Sequence, residues 1–171
     1  ISAQAALVSG PMISHIDMRA ANIWIQVDTP SLVRIAYSAA GDPDSLYWTT
    51  PVETNRSQAY TAVVTLDKVE PGLGYSYRVE LNGEIVTSPA SFTSPANYHG
   101  RTPPPNFKVA VGGAHYVIEE GFEPPYQILG DGYSIFSAIT ETQPDLMIWA
   151  GNTAHLRTSD GTTPSGYLKR Y

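Results

Sequence analysis

Alternating apolar and polar positions organise the first half of the chain. Ile23, Ile25 and Val27 recur at every second position, which is the period of a strand with one buried face. Three further runs have the same period and predict three further strands. These are Val33, Ile35 and Tyr37; Ala62, Val64 and Leu66; and Tyr75, Tyr77, Val79 and Leu81, the last with Ser76, Arg78 and Glu80 facing outward. Ile85 and Phe92 are predicted to share the closing strand.

Turn residues separate these strands. Gly41–Asp44 predicts a turn, and Asn82-Gly83 between two strand-like runs is the strongest short hairpin pattern. Roughly seven short strands at this spacing are typical of a β-sandwich. The sequence therefore predicts an immunoglobulin-like or fibronectin type III-like sandwich over residues 1–94.

One tyrosine gives specific support for this fold class. Tyr75 follows a turn that contains Pro71 and Gly72, and Tyr77 and Val79 continue its strand. This arrangement resembles the tyrosine corner, in which a tyrosine hydroxyl bonds back to the backbone upstream of its strand. We predict this structural role for Tyr75, and the alternative is an ordinary strand aromatic.

The character of the sequence changes at a proline-rich stretch. Pro103–Pro105 cannot join a central strand and prefer extended polyproline geometry. Residues 95–106 are therefore predicted to form a stiff linker. The remaining residues, 107–171, predict a strand, a helix that Pro144 ends, and a second strand. These elements are Phe107–Val111, the helix that carries Ile135, Phe136 and Ile139, and Leu146–Ala150.

This strand-helix-strand unit is the opening of a parallel α/β sheet, and it is incomplete by itself. Two strands and one helix cannot cover both faces of a sheet, and the residues after His155 are mostly polar. The unit either belongs to a larger, truncated domain or packs against the sandwich or against a second copy of the chain. We expect truncation, and an exposed apolar α/β face also predicts self-association.

Two tryptophans have predicted environments. Trp149 lies within the second apolar strand and is predicted to be part of the core. Trp24 faces away from the sandwich core by parity. Two roles are open for Trp24: a cation–π contact with Arg34 or Arg78, or a contact with the second domain.

Composition and charge exclude several classes of function. The net charge of −6 argues against a nucleic-acid surface and gives no general attraction for phosphate. There is no cysteine, so disulfides and thiolate metal sites are excluded. No apolar run approaches the roughly 20 residues of a membrane span. Ser2–Ala6 has the small residues of a signal-peptidase site, as at the end of a leader.

Three segments resemble the alkaline phosphatase D family of secreted metallophosphoesterases. They are Ser9–Met12 with Ala21–Ile25, Phe107–Ala114, and Tyr133–Phe136 through Gln143–Asn152. The resemblance covers nearly the whole chain in order. It implies an N-terminal fibronectin-like domain followed by a calcineurin-type metallophosphatase domain, with a divalent metal as cofactor and a phosphate ester as substrate. It also favours a secreted or periplasmic location.

The resemblance implies metal ligands at three positions where this chain has other residues. A cysteine is expected at Ala114, an aspartate at Asn152 and a tyrosine at His155. Asn152 lacks the charge of a bridging carboxylate, whereas His155 and the neighbouring His115 can bind metal. A mononuclear site of His115, Asn152 and His155 is therefore one hypothesis, and exposed loop histidines are the other.

Losing the bridging anion argues against catalysis, because two dications close together need negative charge between them. We therefore assign no catalytic residue to this chain. Two functions stay open: the N-terminal portion of an alkaline phosphatase D-like phosphoesterase, inactive by itself, and a non-catalytic binding or scaffold module derived from that family. The second is a pseudoenzyme.

Overall fold

The computed structural model describes residues 5–115, 133–151, 153, 162–164 and 166–167. The chain divides into two compact units, Ile1–Thr102 and Pro103–Tyr171. In the described part of the first unit, all paired strands are antiparallel. The second has a small parallel pair of strands and one α-helix. The protein is therefore β-rich, as the sequence predicts.

Two antiparallel sheets make up the first unit. A three-stranded sheet has the order β1-β2-β6, and a six-stranded sheet that curls into a half-barrel has the order β4-β3-β7-β8, with β5 beside β3 and β9 beside β7. The strands are β1 (Leu7–Ile16), β2 (Ala21–Val27), β3 (Leu32–Ala39), β4 (Asp42–Trp48), β5 (Val52–Glu53), β6 (Thr61–Leu66), β7 (Gly74–Leu81), β8 (Glu84–Ile85) and β9 (Ala90–Thr93). A short 3-10 helix, Arg56–Gln58, precedes β6.

The two sheets share one hydrophobic core. The alternation in β2, β3, β6 and β7 places one apolar face of each strand in it, so the four predicted strands are confirmed. The largest fully buried apolar side chains of the core are Ile23, Ile25, Val27, Val33, Ile35, Tyr37, Val64, Leu66 and Val79. Burial of these side chains is the main stabilising term of the unit.

The Asn82-Gly83 hairpin is confirmed, and it joins β7 to β8. Asn82 has φ 51° and Gly83 has φ 94°, the pair of positive values that a type I′ turn requires. Asn82 also ties the turn to β3, because its side-chain oxygen accepts a hydrogen bond of 2.9 Å from the backbone N–H of Leu32.

Two predicted boundaries in this unit are wrong. The turn predicted at Gly41–Asp44 is tighter, because Ala39 pairs with Asp42 and the aspartate already belongs to β4. Ile85 and Phe92 do not share a strand. They lie in β8 and β9, which pair with different ends of β7.

Buried phenols make the first unit sensitive to alkaline pH. Burial raises the pKa of Tyr37 and of Tyr77 above the usual value of 10.0. A raised folded-state pKa gives stability that is complete below the unfolded pKa and is lost as pH rises through the folded pKa.

We therefore expect the free energy of unfolding to fall between about pH 10 and 12, with a smaller fall in Tyr77→Phe. Denaturant unfolding across this range measures the fall, and Tyr98→Phe is the control because Tyr98 is exposed. An alkaline loss that is identical in Tyr77→Phe and wild type would contradict the assignment.

The second unit has the predicted strand and helix order. β10 (Val109–Gly112) and β11 (Leu146–Trp149) are parallel neighbours, and α1 (Ser134–Glu141) lies between them in sequence. The prediction that Trp149 is part of the core is wrong, because 38% of its surface is exposed. No described residue of β10, α1 or β11 is fully buried, since two strands and one short helix provide too little partner surface.

The described residues between Thr93 and Val109 form neither strand nor helix. Ser94 nevertheless contacts the turn before β7, where its hydroxyl donates to the backbone oxygen of Glu70 at 2.6 Å. The boundaries 1–94, 95–106 and 107–171 stay predictions. In the part of the chain that the structure describes, no helix is long and apolar enough to cross a membrane.

Candidate binding groove

Gly113 and Gly151, described residues next to the predicted metal ligands, follow β10 and β11 in sequence. The backbone segments after the two strands approach closely, and a Cβ atom added to Gly151 would clash with the backbone oxygen of Gly113. Ala114 follows and offers no donor atom. Glycine is therefore required at position 151 for the packing of the backbone, independently of any ligand.

His115 is the described member of the predicted metal set. Its half-buried ring lies 4.8 Å from the ring of Trp149 and 6.0 Å from that of Phe136, between centroids. Its Nδ1 is buried and has no hydrogen-bond partner among the described residues. Asn152 and His155 lie outside the described residues, so the three-residue site stays a prediction.

The described residues alone do not fit a divalent metal. They contain no group of three histidine, aspartate or glutamate side chains close enough to hold one. A single imidazole against aromatic rings does not supply the several nitrogen or oxygen donors that such ions need. His15 and His99 are exposed and lie outside this group.

Tyr75 makes the backbone contact that a tyrosine corner requires. Only 3% of its surface is exposed, and its hydroxyl accepts a hydrogen bond of 2.7 Å from the backbone N–H of Glu70. The ring stacks on Phe92 with 5.3 Å between centroids. The hydroxyl thus joins the start of β7 to the turn before it.

Tyr75→Phe is expected to lower the free energy of unfolding by about 1 kcal/mol, because the ring stays packed while the Glu70 N–H loses its acceptor. Denaturant unfolding of the full chain measures this loss. Tyr98→Phe is the matched control on an exposed tyrosine. Equal losses in both variants would show that the hydroxyl of Tyr75 contributes nothing specific.

A groove lies on the outer face of the six-stranded sheet. It has a volume of about 400 Å³ and is lined by Ala36, Ser38, Pro43, Leu46, Trp48, Ser76, Tyr77, Arg78 and Ile85. Ala36 pairs with Trp48 on one side and with Arg78 on the other, and Ser38 pairs with Ser76. Small side chains thus form a floor between larger ones. We call this feature the outer-face groove.

An ion pair fixes the tryptophan wall of the groove. The Nε of Arg34 donates to Glu80 at 2.5 Å and its Nη2 donates to the same carboxylate at 3.0 Å. Hydrogen bonding to Glu80 raises the pKa of Arg34. The guanidinium carbon also lies 4.2 Å from the centroid of the Trp48 ring, so the three side chains form one stack.

This stack corrects two expectations. Glu80 does leave the core side of β7, yet only 7% of its side chain is exposed, because the neighbouring Arg34 covers it. The predicted cation–π contact between Trp24 and Arg34 is wrong, because Arg34 contacts Trp48 instead. Trp24 lies in the three-stranded sheet, whereas Arg34 lies in the six-stranded sheet and contacts Trp48.

Three polar side chains of the groove have no partner among the described residues. Arg78 is exposed and has no ion pair there, and the hydroxyls of Ser38 and Ser76 make no hydrogen bond there. The groove can therefore offer one cation and two hydroxyls to a ligand. The sequence does not predict this groove. Gly41–Asp44 was predicted to be a turn, and β4, which carries Trp48 and Leu46, was not predicted as a strand.

The first unit is a β-rich domain, and residues 4–99 match the family described as Domain of unknown function (DUF7800). The match spans more than half of the chain, which therefore belongs to that family. No curated protein sequence matches the chain.

Solved structures show distant likenesses. The chain is similar to the sensor domain of the anti-sigma factor RsgI4 of Pseudobacteroides cellulosolvens, with 18% identity over 54% of this chain and 94% of that one, at a TM-score of 0.42. Its solution structure aligns with 74% of this chain and 91% of that one, at 13% identity and a TM-score of 0.44. A structure of PhoD is 14% identical over 65% of this chain and 22% of PhoD, at a TM-score of 0.47. These distant likenesses do not indicate a function for this chain.

Proposed function

We propose that the chain is a non-catalytic binding or scaffold module and that the outer-face groove is its binding surface. The observation that carries this proposal is the fixed stack of Glu80, Arg34 and Trp48 beside three unpartnered polar groups. Side chains held before a ligand arrives lose little freedom on binding. The stack therefore supports recognition by a preformed surface.

The lining of the groove favours binding over chemistry. Apolar side chains and Arg78 form the walls, and the two serines lie on the floor, so the groove combines apolar surface with a few polar groups, which is the usual composition of a ligand site. The lining residues include no carboxylate or imidazole, the groups that most often transfer protons in catalysis. Arg78 and the two serines can orient a ligand but have no adjacent base to activate a nucleophile.

We also infer that the first unit is a fibronectin type III-like sandwich and that the chain derives from the alkaline phosphatase D family. Two antiparallel sheets around one core support the fold, and so does the contact of Tyr75 with Glu70. The sequence segments that resemble the family support the ancestry. A secreted or periplasmic location follows from that ancestry and is proposed with it.

A second candidate function is the N-terminal portion of an alkaline phosphatase D-like phosphoesterase, with a divalent metal and a phosphate ester substrate. The observation that favours it is the meeting of Gly113 and Gly151 at adjacent ends of parallel strands. The family resemblance places metal ligands next to these glycines. Ala114 and Asn152 weigh against it, because neither supplies an anionic ligand.

Hydrolysis of p-nitrophenyl phosphate and of its bis ester decides between the two functions. We expect the purified chain to show no metal-dependent turnover. Added Zn²⁺, Mn²⁺ or Ca²⁺ is expected to produce no hydrolysis that a chelator then removes. His115→Ala and His155→Ala are expected to match wild type. Chelator-sensitive turnover that His155→Ala abolishes would replace the binding module with the phosphoesterase.

A further inference from the structure

We infer that the outer-face groove binds an extended peptide segment of a partner protein that presents an acidic side chain and a bulky apolar side chain two residues apart, an inference that rests on the proposed function. Three features of the groove support this inference: its charge, the spacing of its walls, and its open form.

The charge of the groove selects a carboxylate. Arg34 is neutralised by Glu80, so Arg78 is the charged side chain of the described lining that has no counterion. The groove is therefore locally positive in a chain of net charge −6. A carboxylate can accept two parallel hydrogen bonds from a guanidinium, and the hydroxyls of Ser38 and Ser76 can donate to its remaining lone pairs. One arginine in an acidic chain gives no comparable site for the phosphates of a nucleic acid.

The spacing of the walls selects the second side chain. Trp48 and Arg78 stand on either side of Ala36, so two inter-strand intervals of about 4.8 Å separate their strands. In an extended peptide, side chains two residues apart point to the same face and lie about 7 Å from each other. Side chains that diverge slightly can thus reach Arg78 and Trp48 together. Leu46 extends the apolar wall beside Trp48.

The open form of the groove favours a chain segment over a small molecule. Leu46, Trp48 and Ile85 are all exposed large apolar side chains, although they line the same groove. A small molecule in such a trough would leave much of its surface in water, whereas deep pockets bury most of a small ligand. A peptide can cross the trough with its backbone in solvent and insert two side chains.

Fluorescence anisotropy with labelled Gly/Ser-rich peptides tests the inference on the full chain. The probe carries a Glu-Ser-Phe core. Its controls carry Gln-Ser-Phe, which removes the charge, and Glu-Phe-Ser, which changes the spacing. We expect each control to bind wild type about tenfold more weakly than the probe, the usual effect of losing one charge-assisted contact or one buried apolar contact.

A variant of the groove separates a specific contact from general attraction. Arg78→Gln is expected to bind the Glu-Ser-Phe and Gln-Ser-Phe peptides equally, because the partner of the carboxylate is gone. Arg56→Gln removes the same charge from an exposed residue of the 3-10 helix and is expected to keep the tenfold preference. Equal unfolding midpoints of the two variants and wild type exclude a loss of fold as the cause.

Four results would overturn the inference. They are equal binding of the charged and uncharged peptides by wild type, a preference that survives Arg78→Gln, absence of saturable binding, and competition by free phenylpropionate as strong as that of the peptide. The last would identify a small carboxylic acid as the ligand. None of these four results changes the outcome expected in the hydrolysis assay. That assay tests the proposed function separately from this inference.

Discussion

Ile35→Ala is expected to lower the free energy of unfolding by about 3 kcal/mol. Ile35 is 0% exposed and lies in β3, which pairs with β4, β5 and β7. Truncation removes three buried carbons and leaves a cavity at a point where strands on both sides limit collapse. Denaturant unfolding at neutral pH measures the loss.

Leu32→Ala is the control for this prediction. Leu32 belongs to the same strand and has a side chain of similar size, but 52% of its surface is exposed. We expect a loss below about 1 kcal/mol for this variant. Comparable losses at the two positions would contradict the placement of the core between the two sheets.

Gly10→Ala is expected to lower the free energy of unfolding by about 2 kcal/mol or more. Gly10 has φ +86°, a region that residues with a side chain rarely adopt. A Cβ atom at this position would also lie 2.8 Å from the backbone oxygen of Trp24, so β1 would have to move away from β2. Thermal unfolding followed by circular dichroism measures the change.

Gly41→Ala provides the matched control, because a Cβ atom at Gly41 would meet open space and its φ is not positive. The free energy of unfolding of this variant is expected to stay within about 0.5 kcal/mol of wild type. If both glycine variants were equally stable, the close approach of β1 to β2 at Gly10 would be wrong.

The parts of the fold that the sequence predicts are those with one face in the core. The alternation in β2 and β7 is visible because their inward positions are apolar and fully or almost fully buried. The Asn82-Gly83 turn is equally visible, because few residue pairs adopt its backbone angles. Both are local patterns, so they need no knowledge of the partner strands.

The outer-face groove could not be predicted in the same way. Every residue of β4 is exposed, since β4 is an edge strand, and an edge strand without a buried face has no alternation to detect. The groove also depends on register. Trp48, Arg34 and Glu80 come from three strands, and the sequence alone does not tell which residues stand opposite each other.

In the second unit the sequence predicts more burial than the structure has. Its apolar strands predict burial, yet Val111 and Ile148 are exposed in the described structure. Hydrophobic runs identify what a strand would bury but not whether the covering surface is present. Self-association through this face stays a prediction, and sedimentation of the full chain at several concentrations measures it.

Chemical-shift mapping tests the central claim most directly. The Glu-Ser-Phe peptide and, in separate titrations, single aromatic, aliphatic, acidic and sugar-like fragments are added to the isotope-labelled full chain, and backbone amide shifts are recorded. We expect the largest changes at Ala36, Ser38, Ser76 and Arg78, together with the side-chain indole of Trp48, since the outer-face groove is preformed. Changes that instead cluster at Gly113 and Gly151, or that show no cluster, would contradict the groove as the binding surface of this protein.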